Sequence, residues 1–204
     1  MNKIITISIA AYNVEKFLDE TLSSLSCPEL MDGIEVIIVN DGSKDSTVDI
    51  AKKYVNKYPD SFILVDKKNG GYGSTINASL DIARGKYYRL LEGDEWFDRN
   101  EFMKYVEALK NIDTDIVITD FVKRIQTGNH EKTEITSYNY PQGKVEETSK
   151  IYSMAMHSTT VKTEIINKGR IRITEHCFYT DYEFIMKAFL LSSSFTYLPV
   201  KLYQ

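Results

Sequence analysis

Several carboxylates of this 204-residue chain stand where they could bind a cation or move a proton. The most compact group is Glu92-Gly93-Asp94-Glu95, which follows a run typical of a buried strand. Carboxylates one residue apart on an irregular turn can converge on a hard divalent cation. The residues alone are equally consistent with a solvated acidic turn before a helix that is capped by Asp98.

A further carboxylate, Asp181, follows the aromatic pair Phe178-Tyr179. Beside a cleft, Asp181 could take a proton from an attacking hydroxyl. At the start of a helix it would equally serve as a cap, and the two roles are compatible. His157 and His176 are lone histidines, and we expect each to be structural.

The glycine-rich segment 69–74 could bring backbone N–H groups close to a phosphate at a helix N-terminus. It is not a dinucleotide-binding fingerprint, because Ile76 occupies the position of the third glycine. It is not a P-loop either, because no Gly-Lys-Ser/Thr follows. Taken alone, the segment favours a tight turn.

The elements that must position these residues alternate along the first half of the chain. Strand patterns cover 4–10, 35–39, 62–65 and 87–91, and helical spacing follows each of them. This alternation predicts βαβ units, hence an α/β fold whose mostly parallel, Rossmann-type central sheet has helices on both faces. Such sheets bind ligands at the carboxyl ends of their strands. The polar stretches lie at those ends, at 11–13, 40–43, 69–74 and 92–95.

The second half of the chain has weaker patterns. We expect a strand at 115–119, helices from about 163 and at 181–190, and a polar surface loop at 139–150. Two strand-like segments flank Thr127-Gly128-Asn129 and predict a hairpin, which would form a small antiparallel β appendage. We expect residues 1–204 to form a single domain.

Composition excludes several classes of function. The formal net charge is −4, with 29 acidic and 25 basic residues, which argues against nucleic acid as a partner. No apolar run reaches the roughly 18 residues of a membrane span. The N-terminus passes directly into a strand pattern, so we expect no signal peptide and a cytoplasmic protein. Cys27 and Cys177 are isolated, which argues against a disulfide scaffold or a zinc site.

Five segments in this order resemble the motifs of family 2 glycosyltransferases, which have the GT-A fold. Glu92-Gly93-Asp94 stands where that family carries its Asp-x-Asp metal motif, and Asp181 stands at its catalytic base. The segments are Ile7–Glu15, Glu35–Thr47, Lys68–Asn77 with Ala83–Tyr87, Leu91–Phe97 and Phe178–Asp181. The resemblance implies transfer of a sugar from a nucleotide-sugar donor to an acceptor hydroxyl, with inversion.

The resemblance also implies roles for individual residues. Asp94 would bind Mn²⁺ or Mg²⁺ between the two phosphates, and Asp181 would be the general base. Asp41 would bind the base, with a preference for uracil, and Tyr12 would lie against that base. Residues 1–98 would form the nucleotide-sugar-binding half and residues 99–204 the acceptor-side half. The implied donor-binding residues are Ala11, Tyr12, Asn13, Glu15, Asp41, Lys68, Asn69, Gly73, Asn77, Glu92 and Gly93.

The sequence departs from the family pattern at several positions. Glu92 and Glu95 replace aspartates, and the extra methylene moves each carboxylate by roughly 1.5 Å. Asn40 replaces a frequent Asp, and Ile76 stands where many relatives carry Arg. Because Asp94 is kept, we expect donor binding to be weakened or retuned, and not lost.

The sequence therefore predicts a metal-dependent inverting glycosyltransferase that uses a UDP-sugar and a glycan or lipid-linked acceptor in bacterial polysaccharide or surface-glycan assembly. One alternative is a non-catalytic or degenerate sugar-nucleotide-binding module, suggested by Glu92. A nucleotidyltransferase is disfavoured, because residues 10–13 lack a glycine-rich, Lys/Arg-bearing loop. Peripheral association with the inner face of the cell membrane stays open.

Overall fold

A computed structural model describes residues 3–127 and 130–204 of the chain. In chain order the strands and helices are β1 (Ile5–Ala11), α1 (Leu18–Leu25), β2 (Ile34–Asp41), α2 (Thr47–Lys57), β3 (Phe62–Lys67), α3 (Tyr72–Leu80), β4 (Tyr87–Glu92), α4 (Arg99–Leu109), β5 (Ile116–Thr127), β6 (His130–Thr136), β7 (Gly143–Val145), β8 (Thr159–Lys162), α5 (Thr163–Gly169), α6 (Thr180–Leu191) and β9 (Phe195–Tyr203). Within the described part of the chain, no helix is both long and apolar enough to cross a membrane.

The strands form one nine-stranded sheet in the order β3-β2-β1-β4-β8-β5-β9-β7, with β6 paired to β5. Strands β3, β2, β1 and β4 are parallel, as the βαβ pattern predicts. The β-branched runs of β1 and β2 are buried on both faces, as expected for parallel strands between helix layers, whereas the edge strand β3 is mostly half-buried. Strand β8 is antiparallel to both β4 and β5 and joins the two halves of the sheet.

Helices cover both faces of the sheet. Helices α1, α2 and α4 pack together on one side, and α3, α5 and α6 on the other. Successive residues of β4 point to opposite layers: the Tyr88 ring lies 5.5 Å from Phe184 of α6, whereas the Arg89 guanidinium lies 5.5 Å from the ring of Tyr105 in α4. The predicted α/β class with helices on both faces is confirmed.

The second half differs from the prediction in three places. Strands β5 and β6 pair as an antiparallel hairpin but are continuous with the main sheet, and Gly128 and Asn129 of the predicted turn lie outside the described residues. The expected surface loop 139–150 contains β7, which pairs with β9, and the buried Tyr140, whose ring lies 5.4 Å from Phe195. Strand β8 was not expected, because four residues carry too little periodicity to identify a strand.

Candidate functional site

The carboxyl ends of β1, β2 and β4 meet at a cavity of about 330 Å³ beside the start of α3. We call it the donor cavity. Tyr12 lies at its mouth with half of its surface exposed, and Asp41 lies buried inside it. The predicted site residues that line it are Ala11, Tyr12, Asp41, Asn69, Glu92, Gly93 and Asp94.

Asp41 ends β2 and holds the glycine-rich segment in place. Its Oδ1 accepts hydrogen bonds from Lys67 Nζ at 2.7 Å and from the N–H of Gly70 at 2.9 Å. Its Oδ2 accepts the N–H of Gly71 at 2.9 Å. Gly71 adopts φ +80°, a conformation that favours glycine. The buried carboxylate thus fixes both the turn and the N-terminus of α3.

The turn after β4 places the acidic motif at the opposite wall. The N–H of Gly93 donates to the carbonyl oxygen of Ala10 at 3.0 Å. A Cβ at position 93 would lie 2.8 Å from that same oxygen, so the close approach of the two backbones requires glycine. Burial and the charge of Glu95 raise the pKa of Glu92 to about 7. Asp94 is exposed at the cavity rim.

Tyr203 of β9 supports the acidic turn from below, and nothing in the sequence pattern signalled it. Its buried hydroxyl donates to Glu95 Oε2 and accepts the N–H of Glu92 at 3.2 Å. The N–H of Gln204 also donates to the carbonyl oxygen of Trp96 at 2.9 Å. The last strand therefore positions the carboxylates of the motif.

The donor set of this turn fits a hard divalent cation, although the protein does not supply a complete ligand cage. Among residues 3–127 and 130–204 there is no group of three or more His, Cys, Asp or Glu side chains arranged to hold a metal ion. An exposed carboxylate with acidic neighbours suits Mg²⁺ or Mn²⁺, because such ions commonly bind one or two carboxylates together with substrate phosphates. Asp94 would be the direct ligand.

Asp181 comes from far along the chain and does not line the donor cavity, but its charge acts on groups in the cavity wall. It is the second residue of α6, and no side chain caps the N-terminus of that helix. Burial and the charge of Glu95 dominate the raised pKa of Glu92, and the charge of Asp181 adds to that shift. The charge of Asp181 also acts on the buried hydroxyl of Tyr72, whose pKa is raised chiefly by burial and by its neighbour Glu92.

Asn13 and Glu15 lie outside the lining of the donor cavity and connect two loops. Asn13 Oδ1 accepts the N–H of Lys44 at 2.8 Å. Glu15 Oε2 accepts the N–H of Ser46 at 2.8 Å, just before α2 begins. Both side chains therefore hold the loop after β1 against the loop after β2.

Gly73 and Asn77 lie on the other side of α3 and hold the segment that leads to Asp181. A Cβ at Gly73 would lie 2.2 Å from the carbonyl oxygen of Thr174. Asn77 Nδ2 donates to the carbonyl oxygen of Ile173 at 2.9 Å, and its Oδ1 accepts the N–H of the same residue at 2.9 Å. Lys68 is exposed and does not line the donor cavity.

Two departures from the family pattern have a packing explanation. Asn40 Nδ2 donates to Asp66 Oδ1 at 2.7 Å, a position where an aspartate would face a like charge. Ile76 is buried in the core, where an arginine would require a partner for its charge.

As the alternative interpretation of the acidic turn required, Asp98 caps α4 by accepting the N–H of Glu101 at 2.9 Å.

A second cavity, of about 450 Å³, adjoins the first, and Asp94 lines both. We call it the adjoining cavity. Its walls include Trp96, Lys123, His157 and Tyr203, none of which was selected as a site residue from the sequence. His157 has a third of its side chain exposed there. These residues come from distant parts of the chain, so no local spacing groups them.

The model of the family described as Glycosyl transferase family 2 matches residues 6–170, more than half of the chain. The chain belongs to this family. It is 32% identical over 123 residues to the minor teichoic acid biosynthesis protein GgaB of Bacillus subtilis (strain 168), which covers 58% of this chain and 14% of GgaB. The chain also spans less than half the length of two other curated proteins of the same organism that it matches, the putative glycosyltransferase EpsH and the uncharacterized glycosyltransferase EpsJ.

Solved structures agree with the family at the level of the fold. TarS 1-349 of S. aureus, crystallised with UDP-GlcNAc, has a TM-score of 0.76 and 21% identity over 98% of this chain and 57% of that chain. The mannosyltransferase PcManGT of Pyrobaculum calidifontis, in complex with GDP-Man and Mn²⁺, has a TM-score of 0.64 and 15% identity, covering 98% of this chain and 55% of that chain. The likeness confirms the predicted GT-A fold of this family 2 domain.

Proposed function

We propose that this chain transfers a sugar from a UDP-sugar to an acceptor hydroxyl with inversion, in the assembly of a bacterial cell-surface glycan. The observation that carries the proposal is the donor cavity, where Tyr12, Asp41 and Asp94 converge at the carboxyl ends of three strands. The complex of TarS with UDP-GlcNAc supports a UDP-linked donor. The description of GgaB supports a surface glycan as the product.

Asp41 is suited to recognise a base. Its Oδ2 accepts one N–H, from Gly71, and a carboxylate oxygen can accept two. A ring N–H of uracil would donate the second hydrogen bond to Oδ2, while Lys67 and the backbone N–H groups keep the carboxylate fixed. Tyr12, half exposed at the mouth, would cover the base with its ring.

The catalytic step needs a base on the acceptor side and neutralisation of the leaving diphosphate. Asp181 would take the proton of the acceptor hydroxyl while that oxygen attacks the anomeric carbon from the side opposite UDP. A divalent cation held by Asp94 would supply positive charge to the diphosphate. Tyr72 and Glu92, in the wall between the strands and α3, would contact the ribose or the donor sugar.

A degenerate sugar-nucleotide-binding module is the second candidate, and the environment of Glu92 favours it. A carboxyl with a pKa of about 7 is only partly ionised at neutral pH, so it binds a cation less strongly than an aspartate with an ordinary pKa would. Such a module would bind UDP without turning over a donor.

Calorimetric titration of UDP and GDP, with and without Mn²⁺, tests the donor site. We expect UDP to bind with Mn²⁺ and GDP to bind at least ten-fold more weakly. Asp94→Ala should abolish the effect of Mn²⁺, whereas Asp60→Ala, at an exposed aspartate far from the cavity, should leave it intact. A preference for GDP would overturn the assignment of the base.

Release of UDP from UDP-GlcNAc, UDP-glucose and UDP-galactose, measured in the wild type and in Asp181→Asn, then distinguishes a glycosyltransferase from a degenerate binding module. We expect Asp181→Asn to lower the rate by roughly 10²–10⁴-fold, as expected for loss of a general base, with UDP affinity unchanged. UDP binding without donor turnover in the wild type would favour the degenerate module.

A further inference from the structure

Lys67, the last residue of β3, uses every donor of its ammonium group within the protein. Its Nζ donates to Asp41 Oδ1 at 2.7 Å, to the carbonyl oxygen of Lys68 at 2.7 Å and to Ser74 Oγ at 2.8 Å. An ammonium group has three N–H donors, so none remains for a ligand. Any effect of Lys67 on a bound nucleotide must therefore pass through Asp41.

The contacts of Asp41 make its two carboxylate oxygens unequal. A carboxylate oxygen can accept two hydrogen bonds. Oδ1 already accepts two, from Lys67 Nζ at 2.7 Å and from the N–H of Gly70 at 2.9 Å, and is saturated. Oδ2 accepts one, from the N–H of Gly71 at 2.9 Å. Within the described part of the chain, one acceptor position therefore remains open on Asp41, and it belongs to Oδ2.

The surroundings of Asp41 prevent the carboxylate from turning to offer Oδ1 instead. Its side chain is 5% exposed, and among residues 3–127 and 130–204 its only ion-pair partner is Lys67. Ser74 accepts from Lys67 and donates to the carbonyl oxygen of Gly71 at 2.7 Å, which ties the ammonium group to the first turn of α3. Lys67 thus sets how many N–H groups Asp41 can accept from a ligand.

Nucleobases differ in the number of adjacent N–H groups that they present to a carboxylate. Uracil has one ring N–H, which lies between two carbonyl groups. Guanine has two side by side, one on the ring and one on the amino group at C2, and these match the two oxygens of a carboxylate as an arginine fork does. A carboxylate with both oxygens open therefore favours guanine, whereas one with a single open position gains nothing from the second N–H.

The GT-A fold alone does not decide the base, since TarS was crystallised with UDP-GlcNAc and PcManGT with GDP-Man. We infer that Lys67 is a positioning residue that sets the base specificity of the donor cavity. By saturating Oδ1 of Asp41, Lys67 lets the carboxylate accept one N–H, as uracil supplies, and prevents the paired hydrogen bonds that would favour guanine. The inference rests on the proposed function and adds to it the residue that selects the base.

A comparison of GDP with inosine diphosphate (IDP) isolates this effect. The two nucleotides differ only in the amino group at C2, so base size, ribose, diphosphate and metal cancel in the ratio of their affinities. Calorimetry of the wild type with Mn²⁺ should give dissociation constants for GDP and IDP that agree within about two-fold, both weaker than that for UDP. A wild type that binds GDP much more tightly than IDP would overturn the inference, because Oδ1 would then be open.

Lys67→Met opens Oδ1 while the N–H groups of Gly70 and Gly71 still hold the carboxylate. We expect this variant to bind GDP about ten-fold more tightly than IDP, the usual gain from one hydrogen bond to a charged group. Lys67→Arg keeps a cation beside Asp41 and should return the ratio to near one. Lys53→Met, at an exposed lysine of α2, removes the same charge elsewhere and should match the wild type.

The possible outcomes separate this inference from the proposed function. If the wild type binds UDP and Lys67→Met still binds GDP and IDP equally, the inference is wrong and the proposed donor site stands. If the wild type binds none of the three nucleotides, the donor site is wrong and the inference falls with it. Thermal unfolding checks that Lys67→Met folds; if it does not, the ratio of GDP to IDP affinity in the wild type and in Lys67→Arg still decides, since a ratio far above one in either contradicts the inference.

Discussion

At the scale of single residues, Asp41 and Glu92 show how two carboxylates at the same edge of the sheet acquire different properties. Asp41 accepts hydrogen bonds from a lysine and two backbone N–H groups. The Glu92 carboxyl instead faces burial and the charges of Glu95 and Asp94. Hydrogen bonds stabilise an ionised carboxylate, whereas burial and like charges destabilise it. Asp41 is thereby held as a fixed hydrogen-bond acceptor, whereas a bound cation would favour the ionised form of Glu92.

The raised pKa of Glu92 predicts a pH-dependent stability in the absence of metal. Between the usual value of 4.5 and about 7, the folded chain holds a proton that the unfolded chain has released. The contribution of Glu92 to the free energy of unfolding must therefore fall as pH rises through this range. In EDTA, we expect Glu92→Gln to be more stable than the wild type by about 1–3 kcal/mol at pH 8. The difference should nearly vanish at pH 5.

Urea unfolding at pH 5, 6, 7 and 8 measures this difference. Glu29→Gln, at an exposed glutamate outside the site, provides the matched control, and its difference in stability from the wild type should not depend on pH. A difference between Glu92→Gln and the wild type that stayed constant with pH would show that Glu92 does not titrate in this range.

At the scale of elements, the strand ends were predictable and the supports behind them were not. Residues at the ends of β1, β2 and β4 meet because parallel strands share one carboxyl edge. Short apolar runs, each followed by helical spacing of period 3.6, identify such βαβ units locally. Lys67, by contrast, looks like an ordinary charged strand residue, yet its ammonium bonds both Asp41 and Ser74. Nothing local in the sequence distinguishes it from the neighbouring Lys68.

Helix α3 separates the donor cavity from the segment that leads to Asp181. Asn77 of this helix contacts that segment and not the cavity. Its two hydrogen bonds to Ile173 span 96 positions of the chain. We expect Asn77→Ala to loosen residues 173–175 and to lower the rate of UDP release from the donor by about ten-fold. UDP affinity should stay within about two-fold, because Asn77 does not line the donor cavity.

Amide hydrogen exchange at residues 173–176 would measure the loosening directly in Asn77→Ala. Asn56→Ala, at an exposed asparagine of α2, is the control and should change neither exchange nor turnover. A ten-fold loss of UDP affinity with unaltered exchange would instead assign Asn77 to nucleotide binding, as the family resemblance implies.

At the scale of the whole molecule, the parallel half of the sheet follows from sequence and the other half does not. Strand β9 lies between β5 and β7, so its partners are separated from it by tens of residues. Such pairings depend on which surfaces remain uncovered after the local units form, and residue spacing carries no record of that. For the same reason the adjoining cavity, built from the turn after β4 together with β5, β9 and the loop before β8, could not be assembled from motifs.

The hydroxyl of Tyr203 links this distal strand to the acidic turn, 108 positions away. Tyr203→Phe should remove a donor from Glu95 and an acceptor from the N–H of Glu92, and lower the free energy of unfolding by about 1–3 kcal/mol. It should also weaken binding of UDP with Mn²⁺, because the turn carrying Asp94 would lose its support.

Tyr197→Phe is a matched control on the same strand, since the Tyr197 hydroxyl donates to Asp120 Oδ1 at 2.8 Å, away from the site. Thermal unfolding should show similar losses in the two variants, whereas calorimetry should show weaker binding in Tyr203→Phe alone. Equal UDP affinity in both would mean that β9 stabilises the fold without positioning the metal-binding turn.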